Sequence, residues 1–227
     1  MGKITALTYY RFDEDYLEDY RKNLKNLCDD YLIIKDIEGG LMHAEGEYRQ
    51  RLYQQAYEQG TKWAVVLDPD ERLEKRAGKI LKKLIRQAEK ENVKRIFKFN
   101  YREMYTSNEY RCDGIWNKKE RVVVFPLLEE NIYSNAALHM PKHPLNSDYE
   151  IINTDLNIYH LKHINPALRQ HRRDIYEKLD ADHKYQTIGY DYLIDETRIE
   201  LAKISWKRRF TPKYREYHIN EGIFSME

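Results

Sequence analysis

The chain has 227 residues, 34% of them charged, and its 39 Lys plus Arg against 38 Asp plus Glu leave a formal charge of +1. That length suffices for one α/β domain with an ordinary core, and the charge balance argues against a dedicated nucleic-acid binder, whose affinity rests on excess positive charge. Two cysteines, Cys28 and Cys112, supply neither a disulfide framework nor a zinc site by themselves. With no apolar run long enough to cross a bilayer and no signal-peptide pattern, a soluble cytoplasmic protein is expected.

The N-terminal half alternates strand-like and helix-like segments, the pattern of βαβ units around a mostly parallel sheet. Residues 4–10 read as a first strand. A helix starts near Asp13, with Tyr16, Leu17, Tyr20, Leu24 and Leu27 on one stripe. A second strand covers 31–35 and ends at Asp36. Tyr48, Leu52 and Ala56 mark a second helix that Gly60 closes. WAVVL (63–67) is a short continuous apolar run, as expected of a strand buried on both faces. It runs into Asp68-Pro69-Asp70-Glu71, and a periodic helix follows with Ala77, Ile80, Leu81, Leu84, Ile85 and Ala88 on its apolar side.

Strands are expected at 94–105, 121–128 and 155–160, with a long loop at 134–148. Helices are expected at 166–179 and 190–204, and the basic, aromatic stretch WKRRFTPKYREYH reads as a peripheral tail. The 20 tyrosines suit core edges as well as surfaces that stack on sugars or bases.

In open α/β sheets ligands bind outside the carboxyl ends of the strands. Asp68, Asp70 and Glu71 emerge at such an edge, and Pro69 stiffens the turn that carries them. Two carboxylates on a rigid turn offer the oxygen ligands that Mg²⁺ or Mn²⁺ prefers when it also holds a diphosphate. The plainer account makes Asp70 a helix cap and Asp68 an ordinary turn residue.

The order of these segments resembles that of family 2 glycosyltransferases. ITALTYYRFDEDYL is similar to the family's opening strand, turn and helix, and YLIIKD to its second strand ending in Asp. EGEYRQRLYQQAYEQGTKWAVVLDPDERL is similar to its Arg-bearing helix, apolar strand and Asp-x-Asp turn, and NIYHLKH offers the late histidine. The resemblance implies one GT-A-type domain over 1–227, an α/β three-layer sandwich with a mostly parallel central sheet. Its donor-binding half would cover about 1–105, and the acceptor half with the C-terminal helices about 106–227. It implies an inverting, hexosyltransferase-type enzyme moving a sugar from a nucleotide-diphosphate donor, UDP-linked by preference, to a saccharide, lipid-linked or protein acceptor.

By the same resemblance Tyr9, Tyr10, Arg11, Asp36, Arg49 and Asp68 would bind the donor. Asp68, Asp70 and His160, with His163 as second choice for the histidine, would hold Mn²⁺ or Mg²⁺. The family's Glu-Asp pair has no counterpart, so the catalytic base is unassigned; His139, in the long loop with His143, is the candidate. Trp116 suits either a sugar face or the sheet edge, and Arg169, Arg172 and Arg173 read as a solvated helix face. The alternatives are a non-catalytic carbohydrate- or nucleotide-binding module of the same fold and a sugar nucleotidyltransferase. The acidic, glycine-free TYYRFDED after the first strand argues against the latter.

Overall fold

Burial along two short strands decides the layering. In the computed structural model, which describes residues 1–40, 43–137 and 139–217, β1 (Ile4–Tyr10) and β3 (Trp63–Val66) present apolar side chains to both faces. Successive side chains of a strand point to opposite sides. Ile4, Ala6, Trp63 and Val65 therefore share one core with α1 (Leu17–Leu24) and α3 (Ala77–Glu91). Leu7, Ala64 and Val66 share the other with Leu52, Tyr53 and Ala56 of α2 (Glu45–Glu58). The sheet thus lies between two helical layers, the α/β three-layer arrangement expected.

The remaining strands are β2 (Asp30–Lys35), β4 (Glu71–Leu73), β5 (Arg95–Glu103), β6 (Glu109–Arg111), β7 (Glu120–Pro126), β8 (Glu150–His160) and β9 (Leu201–Lys203). One seven-stranded sheet runs β2-β1-β3-β7-β5-β8-β4, and β6 pairs with β9 in a separate ribbon. The sheet is mixed. Pairings β1–β2, β1–β3 and β5–β8 are parallel, whereas β7 runs antiparallel to both β3 and β5, and β4 antiparallel to β8. A fourth helix, α4 (Pro166–Leu179), starts with Pro166 at its first turn and the Asn165 side chain accepting from the Ala167 amide.

Three expectations are corrected. Residues 190–204 form no helix: only a 3-10 turn, Asp191–Leu193, precedes β9, whose backbone pairs with β6. Left-handed Gly189 and Arg198 interrupt any helical run there, and the burial of Tyr190 and Leu193 against Trp116 supplies the apolar pattern. The sheet, expected to be mostly parallel, is mixed, because β7 and β4 run antiparallel to the strands beside them. The basic, aromatic tail is packed rather than peripheral through Tyr217: Phe210 and Tyr217 are buried, and Tyr217 stacks on Tyr16 at 3.9 Å between ring centroids. His218, the last residue of that stretch, lies outside the described residues, as do residues 41 and 42 and Leu138.

Between β7 and β8 the chain crosses the start of α2. The Gly46 amide donates to the Ala136 carbonyl, and a Cβ on Gly46 would lie 2.7 Å from the Ser134 carbonyl oxygen. Gly46→Ala is expected to cost about 1–3 kcal/mol, more than the up to about 1 kcal/mol of helix preference it gains. Urea denaturation measures this; unchanged stability would mean that the loop does not rest on α2.

Candidate functional site

Register brings three acidic or basic side chains to one level at the sheet edge. Glu71 of β4 and Glu103 of β5 both stand opposite His160, the last residue of β8. Beyond β4 the Leu161 amide donates to the Asp70 carbonyl, so the acidic turn is sewn to the end of β8.

The turn itself is doubly closed. The Glu71 amide donates to the Asp68 carbonyl at 2.9 Å, and the Glu71 carboxylate accepts from the Asp68 amide at 2.8 Å. Pro69 occupies the second position, where its fixed φ suits a tight turn. From beneath, the fully buried Arg72 guanidinium donates to the carbonyls of Pro69 and Glu71, 2.9 Å for the latter, and to those of Tyr16 and the Tyr217 hydroxyl. The packed tail is thereby part of the turn's support.

His160 is buried between two carboxylates. Its Nδ1 bonds Glu103 Oε2, and its Nε2 lies 3.0 Å from Asp70 Oδ2. Burial opposes the charge on the ring, but Glu103 and Asp70 outweigh it and raise its pKa to about 9. Asp70 is held well below the ordinary carboxylate range, burial being outweighed by His160 and Lys162, and Glu103 likewise by Lys119, His160 and His163. His163, 5.3 Å away between ring centroids, has the opposite fate: burial, with Arg172 and His160 acting in the same direction, pushes its pKa down. An imidazolium therefore sits beside a neutral imidazole. Arg172 Nη1 is 3.2 Å from His160 Nε2 and 3.4 Å from His163 Nε2.

Asp68 is the open member of the turn, its side chain 38% exposed. Lys142, reaching in from the long loop, lies 2.8 Å from Asp68 Oδ2 and 3.3 Å from Glu71 Oε2. Arg49 of α2, buried, donates to Glu45 at 2.8 Å and lies 3.4 Å from Asp68 Oδ1. Its Nη1 is buried with no partner among the described residues. Burial opposes the ionisation of Asp68; Lys142 and Arg49 prevail and lower its pKa to about 2.

Of the sequence-derived candidates, Asp70 and His160 are in direct contact, and Arg49 reaches Asp68. Asp68 does not join the Asp70–His160 pair. Among the described residues the three donors that come within 4.8 Å of one another are Glu103, His160 and His163, all buried. The Arg172 guanidinium and the Lys119 ammonium already press on that group. Tyr9 meets Tyr48 edge to face at 5.7 Å, and Tyr10 ends β1. Asp36 is buried and accepts from the Gly39 amide at 2.9 Å; Gly39 has φ +78, and the Arg11 guanidinium fills the space a Cβ would need.

His139 stands in the long loop with its ring against Tyr176 and Tyr190 and Nε2 3.0 Å from the Tyr190 hydroxyl. His143 bonds the Pro144 carbonyl at 2.7 Å. Trp116 is buried against His163 and under the Lys119 ammonium, so it presents no face to a sugar. The arginines of α4 are not a solvated face either. Arg169 is buried on the His163 carbonyl, Arg172 lies at the two histidines, and Arg173 pairs with Asp191. Sequence reasoning missed Glu103, Arg72, Lys142, Lys162 and Lys119.

A depressed carboxylate contributes stability above its unfolded pKa and loses it as pH falls through the folded one. Asp68 is therefore expected to titrate near pH 2 in the native protein. In Lys142→Met its titration should move up toward the ordinary aspartate value of about 3.9, read by carboxyl ¹³C NMR. An unmoved titration would remove Lys142 from the site.

No protein-family model matches the chain, and no curated protein matches it. Among solved structures it is similar to S. aureus TarS, a glycosyltransferase, with 11% identity and a TM-score of 0.43. The match covers 86% of this chain and 46% of TarS, so the chain spans less than half of that protein's length. The likeness is loose, and it assigns no role to any residue here.

Proposed function

We propose that the protein is a glycosyltransferase that binds a nucleotide-diphosphate sugar, UDP-linked by preference, beside Asp68 and Asp70 and passes the sugar to a hydroxyl acceptor. The observation that carries this reading is the acidic turn. Two ionised carboxylates end a buried strand, one of them open to solvent; Arg49, Lys142 and Lys162 converge on them from three segments, and Arg172 lies against His160, the partner of Asp70. Carboxylates suit a divalent cation, and fixed ammonium and guanidinium groups suit phosphate oxygens.

The donor set fits Mg²⁺ or Mn²⁺. Among the described residues, the side-chain contacts of Asp70 run through Oδ2, which leaves Oδ1 without one, and Asp68 is ionised and reachable. Held by these two carboxylates, such an ion would act as a Lewis acid toward the leaving diphosphate. His160, with both ring nitrogens engaged, is the clamp that fixes Asp70 rather than a ligand in this arrangement. Lys162 and Arg172 add positive charge where the diphosphate gains negative charge. Tyr9, Tyr10, Arg11 and Asp36, at the ends of β1 and β2, form the nucleoside side.

In an inverting displacement the acceptor oxygen bonds to the anomeric carbon, the bond from that carbon to the diphosphate breaks, and the acceptor proton needs a base. His139 takes that role. The Tyr190 hydroxyl donates to Asp180 Oδ2 at 2.8 Å, so it accepts from His139 Nε2–H and leaves Nδ1 as the acceptor. Desolvation lowers the pKa of the ring, which keeps it neutral near pH 7. A saccharide, lipid-linked or protein hydroxyl would serve as acceptor.

Thermal denaturation with UDP or GDP, each with and without Mn²⁺, tests the donor site. At about 100 Kd a bound nucleotide adds roughly 2.7 kcal/mol. UDP with Mn²⁺ should raise the melting temperature of the wild type and not that of Asp68→Asn; no shift with either nucleotide would sink the reading. His139→Ala should keep nucleotide binding while UDP release from a UDP-sugar falls about 100-fold or more. Binding without any turnover by the wild type favours the non-catalytic module instead.

A further inference from the structure

A recess lies away from the acidic turn. It is a groove of about 470 Å³ along α2, between that helix and the segment that follows β7, within the roughly 300–1,000 Å³ of small-molecule sites. Its chemistry differs from that of the sheet edge. Three tyrosines, Tyr53, Tyr57 and Tyr133, are interleaved with the amides Gln50, Gln54 and Asn131. Charged side chains are confined to Arg51, Glu58 and Glu129, all exposed.

The aromatic part is a built surface. Tyr53 is buried and packs on Tyr133 at 4.7 Å between centroids, and Phe125 backs both rings. The Tyr133 hydroxyl accepts from Asn131 Nδ2 at 2.9 Å, and the same amide nitrogen donates to the Pro126 carbonyl. Asn131 and Tyr133 are thus fixed before anything binds. Half-buried Tyr57 is different: its hydroxyl makes no hydrogen bond among the described residues, and next to it the Gln54 amide nitrogen makes only an exposed bond to Glu58 at 2.8 Å. Rigid phenol faces with neutral amides beside them offer apolar area and paired donors and acceptors, but no net charge.

We propose that this groove binds a neutral saccharide chain, whose pyranose rings lay their C–H faces on Tyr57 and Tyr133 and whose hydroxyls bond Gln50 and Gln54. A nucleotide or other anion has no fixed positive charge to meet inside it, and a purely apolar ligand would strip water from the exposed Gln54 amide, whose nitrogen has only Glu58 as partner among the described residues, without replacing it. The groove also communicates with the acidic turn. The Tyr53 hydroxyl donates at 2.8 Å to the carbonyl of Lys142, the residue whose ammonium lies on Asp68. The inference stands on the lining of the groove and holds whether or not the protein transfers sugar.

Saturation-transfer NMR on the full chain with maltohexaose, cellohexaose and chitohexaose at millimolar concentration tests it. Ring C–H protons of at least one probe should receive saturation. The affinity for that probe should fall about tenfold, the equivalent of about 1.4 kcal/mol, in Tyr57→Ala, and fall also in the exposed Gln54→Ala. Gln87→Ala, on the far side of the sheet, should bind as the wild type does. Nucleotide-induced thermal stabilisation, measured in the same variants, should be unchanged, which separates loss of the groove from loss of the donor site. Absence of saturation transfer from all three probes, or binding that survives both groove substitutions, overturns the proposal.

Discussion

One buried imidazole ties the sheet edge together. β4 has three residues and is the last strand of its sheet, so its own ladder with β8 gives it little hold. His160 supplies the rest by joining the turn before β4, through Asp70, to the end of β5, through Glu103. A charge taken out of water survives only when its partners are close and hydrogen-bonded, and removing one partner of such a group costs about 3–5 kcal/mol. Here every member has at least two: Glu103 takes Lys119 as well as His160, and Asp70 takes Lys162 as well. The position of Asp68, two residues from Asp70, is a consequence of that clamp.

The near-neutral net charge conceals this arrangement. Basic side chains come from α2, the long loop, the segment after β8 and α4, and acidic ones from the turn, β4 and β5. They cancel in the sum yet meet at one edge. Arg72 extends the support downward to the Tyr217 hydroxyl, which also donates to Asp19 at 3.1 Å, while Arg215 pairs with Asp19 and Asp15. The C-terminal stretch up to Tyr217 is therefore coupled to the acidic turn, although it lies far from it in sequence.

Apart from the short β4 and β6, the strands and helices of the first 130 residues were legible because their periods are clean: WAVVL for a doubly buried strand, and the Ala77, Leu81, Ile85, Ala88 stripe for α3. The acidic turn was legible from Pro69 and its carboxylates. Glu103 was not, yet a signal existed. Phe97, Phe99, Tyr101 and Glu103 share one face of β5, and a carboxylate in the apolar phase of a strand needs a buried partner. Arg172 carried a similar sign, lying on the stripe Leu168, Arg172, Tyr176 at helical spacing. Lys142 and Tyr217 carried none, because a loop lysine and a tail tyrosine acquire their partners only through long-range packing. The supposed helix at 190–204 failed for a related reason: buried tyrosine and leucine in a turn-rich segment mimic a helical stripe.

The protonation of His160 tests this account most directly. Long-range ¹H–¹⁵N NMR of the ligand-free protein reports both ring nitrogens across a pH titration. Two protonated nitrogens at neutral pH, with deprotonation near pH about 9, are predicted, alongside a neutral His163. A His160 that is a neutral tautomer at pH 7 would contradict the clamp and, with it, the fixed placement of the acidic turn.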